Sequence, residues 1–246
     1  MTTHAVPGQL IASREPAQVA REAANRVAGA LETAVETRGR ASLGLSGGST
    51  PLDAYRLLAQ ARVDWTMVHI FWVDERAVPP DDDRSNYRWA KATLLDPAKV
   101  PSECIHRMEA ERPDLDAAAR DYEKTLRILV PSDGDGVPCF DALVLGVGDD
   151  GHTASLFPGE STVDLSDQAV AVVPAGGAHE ARLTLTAPIL EHARDVFVLA
   201  VGRKKHPALV RVWDVRGDAH QTPARILRRC RGTLVWIVDR AAAGLE

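Results

Sequence analysis

The chain has 246 residues, 45% hydrophobic, 26% charged and 5% aromatic, with a formal net charge of −5. That length and apolar share suffice for a buried core and exclude a disordered chain. The acidic balance supplies no overall basic field for nucleic acid or an anionic membrane surface, so neither is an expected partner. Cys104, Cys139 and Cys230 lie far apart with no C-x-x-C pair, which argues against a disulfide framework or thiolate zinc site and fits a reducing compartment. The opening MTTHAVPGQL has no basic segment followed by a long apolar one, unlike a signal peptide. No apolar run reaches the ~20 residues that span a bilayer. The expectation is a soluble, cytoplasmic globular protein.

Taken in chain order, apolar strand-like runs alternate with amphipathic helical stretches. Val19, Ala23, Val27, Ala30, Leu31, Ala34 and Val35 recur at helical spacing between Pro16 and Thr37, and Gly39 supplies a stop. A strand over 41–45 enters the loop Ser46-Gly47-Gly48-Ser49-Thr50. Pro51 then opens a helix to Ala61, with Thr50 as the expected N-cap. Met67 to Val73 predicts a strand that ends in an acidic, proline-rich loop from Asp74 to Arg84. Ser85 is placed to cap a helix through Leu95, and 114–130 predicts another helix. The continuous apolar run FDALVLGV over 140–147 is the kind buried on both faces of a sheet. Further strands are expected over 170–173, 183–186, 196–201 and 234–238, with helices over 188–193, 207–215 and 223–229. Gly134 to Pro138 reads as a surface loop rather than a linker, and no internal repeat divides the chain. The pattern predicts one α/β domain over residues 1–246, a mainly parallel sheet flanked by helices.

Ligands of open α/β sheets bind beyond the carboxyl ends of the strands, and four segments bring chemistry there. In the first, Gly47 and Gly48 let backbone N–H groups approach an anion, Ser49 adds a hydroxyl, and the following helix adds its positive end. Gly44, Ser46 and Gly48 also match G-x-S-x-G, but too little chain precedes them for a hydrolase elbow and its oxyanion strand. In the second, Asp74 follows the strand directly and points into the crevice, where it and Arg76 can orient a sugar and hold a phosphate. Asp81 to Asp83 reads as solvated surface, without the spacing or glycine of an EF-hand. In the third, Gly146, Gly148 and Gly151 satisfy G-x-G-x-x-G. Pro158-Gly159 cuts the next helix short, however, and Asp149 and Asp150 would repel a pyrophosphate, so a dinucleotide is not expected. What remains is a glycine-rich turn that presents Asp150 and His152, an imidazole suited to accept a proton near neutral pH. In the fourth, Arg182 begins RLTLT and Lys205 ends GRKK after an apolar strand; with the Ser-Gly loop they can complete a dianion site. The remaining histidines, His4 included, show no ligand spacing, so no metal is expected.

These segments resemble the 6-phosphogluconolactonase family, a relative of glucosamine-6-phosphate deaminase. The matching stretches are LSGGSTP (45–51), FWVDERAVPPDDDRSNYRWA (71–90), LGVGDDGHTASLFPG (145–159), RLTLT (182–186) and VGRKK (201–205), in the family's order. The resemblance implies a fold of the deaminase and ribose-phosphate isomerase type. It also implies hydrolysis of the sugar-phosphate lactone 6-phospho-D-glucono-1,5-lactone, in the oxidative pentose phosphate pathway, with no cofactor and no metal. By position it makes His152 catalytic, with Asp74 beside it. It puts Arg76 in the acidic segment's binding set, Gly47, Gly48 and Ser49 in the phosphate loop, and Arg182 and Lys205 on the phosphate. Asp150 is counted with the substrate-binding groups. The deaminase branch resembles D-G-H followed five residues later by a glutamate; Phe157 stands there, which favours the lactonase. Gly176-Gly177-Ala178 replaces a more proline-rich approach to the arginine strand. Two rival readings are an isomerase or deaminase using Asp74 as a base on carbon, and a non-catalytic sugar-phosphate sensor with no need of His152. Oligomeric state is not legible in the sequence.

Overall fold

The structure, a computed structural model, describes residues 5–132, 134–176 and 179–245. His4 and the first residues of the chain lie outside the described residues, as do Gly177 and Ala178. In chain order the elements open with β1 (Gln9–Ser13), α1 (Pro16–Arg38), β2 (Ala41–Leu45), α2 (Ser49–Leu58), β3 (Val68–Trp72) and β4 (Asp74–Arg76). Then come α3 (Asn86–Ala90), β5 (Ile105–His106), α4 (Leu115–Leu129), β6 (Ala142–Gly146), β7 (Val170–Val173) and β8 (Arg182–Leu185). The chain closes with α5 (Ala187–His192), β9 (Asp195–Ala200), α6 (His206–Trp213), β10 (Thr233–Asp239) and α7 (Arg240–Ala243).

Seven strands form a parallel sheet in the order β1-β10-β9-β6-β2-β3-β5. From β2 the chain builds outward through β3 and β5 on one side, and through β6, β9 and β10 on the other. The direction reverses between β2 and β6, the switch point at which such sheets open a crevice. These two strands share only the pairs Leu43↔Ala142 and Gly44↔Leu143. Below them the Asp141 carboxylate ties the strands by accepting from the Ser42 backbone N–H at 2.8 Å and from its hydroxyl at 2.9 Å. α1 buries Val19, Ala23, Val27 and Leu31, the apolar face of its helical spacing, and packs on β2, β9 and β10. Gly39 ends it in the left-handed region, its N–H donating to Val35 O at 2.9 Å.

Several elements depart from the sequence reading. α2 begins at Ser49, with Gly48 at the cap and no side-chain cap bond, so Thr50 is inside the helix rather than its N-cap, and the helix stops at Leu58. The acidic loop begins as a strand: β4 pairs antiparallel with β8, which pairs antiparallel with β7. The runs at 170–173 and 182–185 therefore belong to a separate three-stranded sheet, not to the parallel one. Val73 joins the two sheets, donating its N–H to Leu45 O at 2.9 Å and accepting from the Leu185 N–H at 2.7 Å. Ser85 does cap α3, but after Ala90 the backbone widens into a π-turn over Lys91–Leu95. The segment Pro223–Arg229 is a 3₁₀ helix. No helix among the described residues is long and apolar enough to cross a membrane.

Two buried tyrosines fix the carboxyl ends of the central strands. The Tyr55 hydroxyl accepts from the Ser46 N–H at 3.0 Å and donates to the Ser46 carbonyl at 2.9 Å. The Tyr122 hydroxyl does the same at Trp72, at 2.8 and 3.0 Å, where two-residue β5 is too short to supply a partner strand. Burial pushes both phenols well above their ordinary pKa. Tyr122→Phe leaves the Trp72 amide and carbonyl unpaired in the core. The expected loss of unfolding free energy is about 1–3 kcal/mol, read by urea denaturation.

Candidate active site

Beyond β2 and β6 lies a crevice of about 240 Å³ lined by the Ser-Gly loop, the glycine-rich turn and the arginine-bearing strands. Of the nine site residues read from the sequence, Gly47, Gly48, Ser49, Asp74, Arg76, His152, Arg182 and Lys205 line it. Asp150 does not line it; its carboxylate is engaged by His152.

The Ser-Gly loop needs its glycines for two reasons. A Cβ on Gly47 would fall 1.9 Å from Asn86 Oδ1, and Gly48 adopts φ +100°, which L side chains rarely adopt. The close approach at Gly47 brings in Asn86, whose side-chain amide donates to the Asp74 carbonyl at 2.9 Å and to Asp74 Oδ1 at 3.3 Å. Asp74 is only 5% exposed. Its other oxygen accepts from the Ser155 hydroxyl at 2.6 Å, and Arg182 Nη1 stands 3.8 Å away. The aspartate thus joins β4, the Asn86 helix, the glycine-rich turn and β8.

Glu75, next in sequence and 3% exposed, has a different task. It accepts from the backbone N–H groups of Arg76, Asn86 and Tyr87, each at 2.8 Å, and from Ser85 Oγ at 3.0 Å. Burial pushes its carboxyl above the usual range, against the pull of those donors. Glu75 folds the acidic loop back onto β4.

The antiparallel register sets Arg76 directly opposite Arg182. Like charges so placed repel, and Asp74 and Glu180 are the carboxylates nearest Arg182. Burial lowers the pKa of Arg182, Asp74 opposes that, and Arg76 lowers it further; a guanidinium nevertheless stays charged. Among the described residues, Ser46 Oγ, Arg76 Nε and Arg182 Nε are buried without a hydrogen-bond partner. Unsatisfied buried donors are costly, so the crevice is chemically disposed toward an anion rich in oxygen. Lys205, on the turn after β9, contributes a third cation and is held by Asp149 Oδ1 at 2.7 Å.

His152 sits on a turn bonded to itself. Gly148 N–H donates to His152 O at 2.9 Å, and Gly151 N–H donates to Gly148 O at 3.0 Å. The imidazole lies over Gly148, where a Cβ would meet Nδ1 at 2.1 Å. Asp150 Oδ1 accepts from the His152 backbone N–H at 3.0 Å and stands 2.6 Å from Nδ1. An ionised carboxylate only accepts, so the neutral ring carries its proton on Nδ1 and keeps Nε2 as the basic nitrogen. Partial burial raises the Asp150 pKa, but the hydrogen bonds from His152 outweigh it and bring the carboxyl down to about 2. Asn86, Ser155 and Tyr55 escaped the sequence reading because their roles arise from tertiary hydrogen bonds. The only signal for Asn86 and Ser155 was their place inside matched segments.

Fold and site together define an α/β protein with a crevice lined by three cationic side chains at a sheet switch point, beside a carboxylate-paired imidazole. The family described as glucosamine-6-phosphate isomerases/6-phosphogluconolactonase matches residues 14–236, and the chain belongs to it. A 6-phosphogluconolactonase of Synechocystis sp. is 37% identical over 86% of this chain and 87% of its own. One of Mycobacterium tuberculosis is 38% identical over 90% of this chain and 91% of its own. The solved 6-phosphogluconolactonase of Trypanosoma brucei superposes with a TM-score of 0.87 and 27% identity, over 98% of this chain and 99% of that one.

The Asp150 contact has a pH signature. A carboxyl at about 2 when folded, against about 3.9 unfolded, stabilises the fold above pH ~4 and loses that contribution as the pH falls toward 2. Asp150→Asn is therefore expected to be less stable than the parent at pH 7. The gap should narrow between pH 4 and 2 in urea unfolding, and a pH-independent gap would contradict the assignment.

Proposed function

We propose that this chain hydrolyses 6-phospho-D-glucono-1,5-lactone to 6-phospho-D-gluconate, a step of the oxidative pentose phosphate pathway, with His152 as general base and then general acid. The observation that carries this reading is the convergence of an Asp150-paired imidazole with Arg76, Arg182 and Lys205 around one crevice. A lactone is an activated ester, so a well-placed water suffices as nucleophile. His152 Nε2 takes a proton from water as its oxygen bonds to C1, and returns it to the ring oxygen as the C1–O bond breaks. Arg76 meets the negative charge that develops on the carbonyl oxygen. The phosphate, held by Gly47, Gly48 and Ser49 with Arg182 and Lys205, sets the lactone's orientation and contributes through positioning. Asp74 orients: both its oxygens are already engaged by Ser155 and Asn86. That engagement favours hydrolysis over the isomerase reading, which needs this carboxylate as a base on carbon. The three cysteines are unbridged, in keeping with the reducing, cytoplasmic setting we propose.

The reading is tested with freshly made phosphogluconolactone, with ammonia release from glucosamine 6-phosphate followed in parallel. His152→Ala is expected to lower kcat at least ~10²-fold with little change in substrate binding. Near-parental turnover in the folded variant would leave a structural or sensor role for this histidine.

Lys205→Ala tests the phosphate contact separately. Charge-assisted bonds are worth about 1.5–3 kcal/mol, so kcat/KM for the phosphorylated lactone should fall roughly ten- to a hundredfold. Hydrolysis of unphosphorylated gluconolactone should scarcely change. Equal losses on both lactones would displace the phosphate from Lys205.

A further inference from the structure

Phe157 has no polar chemistry, yet its ring meets three groups, two of which, His152 and Arg182, line the crevice. The His152 imidazole lies 4.8 Å from it, centroid to centroid, inclined at 53°. The Arg182 guanidinium carbon stands 5.3 Å from its centroid, within cation–π range. The His179 ring stacks on it at 4.3 Å and 7°. The backbone of each neighbour is placed independently of that ring. His152 is held by Asp150, and Arg182 is fixed in register opposite Arg76. His179 exchanges backbone hydrogen bonds with Gly176 at 3.0 and 3.1 Å.

From this geometry we propose that Phe157 is the positioning residue of the site, one ring setting both the plane of the His152 imidazole and the direction of the Arg182 guanidinium, with His179 stacked against it. The physical case rests on degrees of freedom. A single hydrogen bond at Nδ1 fixes the tautomer of His152 but leaves the imidazole free to tilt about that bond. Gly148 provides a floor without a side chain, and the Phe157 ring supplies the missing lateral contact. Arg182 has an analogous need: its Nε has no hydrogen-bond partner, its Nη1 reaches Ser155 Oγ only at 3.5 Å, and its ion pairs with Asp74 and Glu180 are long, at 3.8 and 3.7 Å. The aromatic face gives the guanidinium a surface to lie against that does not neutralise it. Phe157 thereby couples the proton-transferring end of the site to its anion-binding end. The kinetic part of the proposal rests on the lactonase reading; the structural part does not.

The test compares Phe157→Leu, which keeps bulk without a ring, with Phe157→Tyr, which keeps the ring. Carbon-13 relaxation of the imidazoles in the unliganded protein reports how rigidly the His152 ring is held, and nitrogen-15 spectra check that its tautomer is kept. All three proteins should keep the Nδ1–H tautomer that Asp150 sets; the His152 ring should be rigid in wild type and Phe157→Tyr and mobile in Phe157→Leu. In kinetics, Phe157→Leu should lower kcat about three- to tenfold on both lactones, as expected for one lost ring contact. It should raise KM for the phosphorylated lactone alone, and Phe157→Tyr should restore both. A His152 ring as rigid as the parent's and unchanged kinetics in Phe157→Leu would overturn the proposal. If Phe157→Leu does not fold, the wild-type spectrum decides: absence of a nuclear Overhauser contact between the His152 and Phe157 rings overturns it as well. A protein without lactonase activity would defeat the functional reading while the imidazole spectra still judge this one.

Discussion

Asp74 is a carboxylate almost removed from water, and a charge in that position persists only if its surroundings pair it. Here the pairing comes from Ser155 on the glycine-rich turn, Asn86 at the head of α3 and, at longer range, Arg182 on β8. Each partner arrives from a different part of the chain, so satisfying this one group assembles the crevice. The Ser155 bond anchors the turn that carries His152. The Asn86 bond draws the Ser-Gly loop so close that Gly47 admits no side chain. The Arg182 contact offsets part of the charge that the antiparallel register concentrates opposite Arg76.

The parallel sheet supplies the place and the small antiparallel sheet supplies the charge. Between β2 and β6 the sheet changes direction, and both loops that leave those strands turn toward the same opening. Val73 then carries the chain from one sheet into the other within a single residue, which sets Asp74 and Arg76 at the crevice edge. A chain with a net charge of −5 thus holds three cationic side chains around one small opening. Carboxylates stand beside two of them, Asp74 and Glu180 near Arg182 and Asp149 on Lys205, so the cations are held in place around the opening.

The buried parallel strands were legible because a strand covered on both faces must be continuously apolar, as FDALVLGV is. β1 and β5 were not: QLIAS lies at one sheet edge and Ile105–His106 is a two-residue strand at the other. β4 was hidden more deeply, since three consecutive charged residues read as loop. Only the tertiary partners of Asp74 and Glu75 make a strand of that composition tolerable. At the site, residues whose chemistry is intrinsic, such as His152, Arg182 and Lys205, could be picked out by type and position. Asn86, Ser155 and the tyrosine clamps act through where the fold puts them. Asp150 shows the intermediate case: its proximity to His152 was visible, but its turn geometry, which directs the carboxylate to Nδ1 rather than into the crevice, was not.

In the proposed function one crevice orients a sugar phosphate with its carbonyl end on His152 and its phosphate on the Ser-Gly loop. A crystal structure with 6-phosphogluconate bound tests it most directly. The C1 carboxylate is expected within hydrogen-bond reach of His152 Nε2, and the phosphate on the backbone of Gly47–Ser49 with Lys205 turned toward it from Asp149. A ligand bound in the opposite sense, or at another surface with His152 untouched, would contradict it.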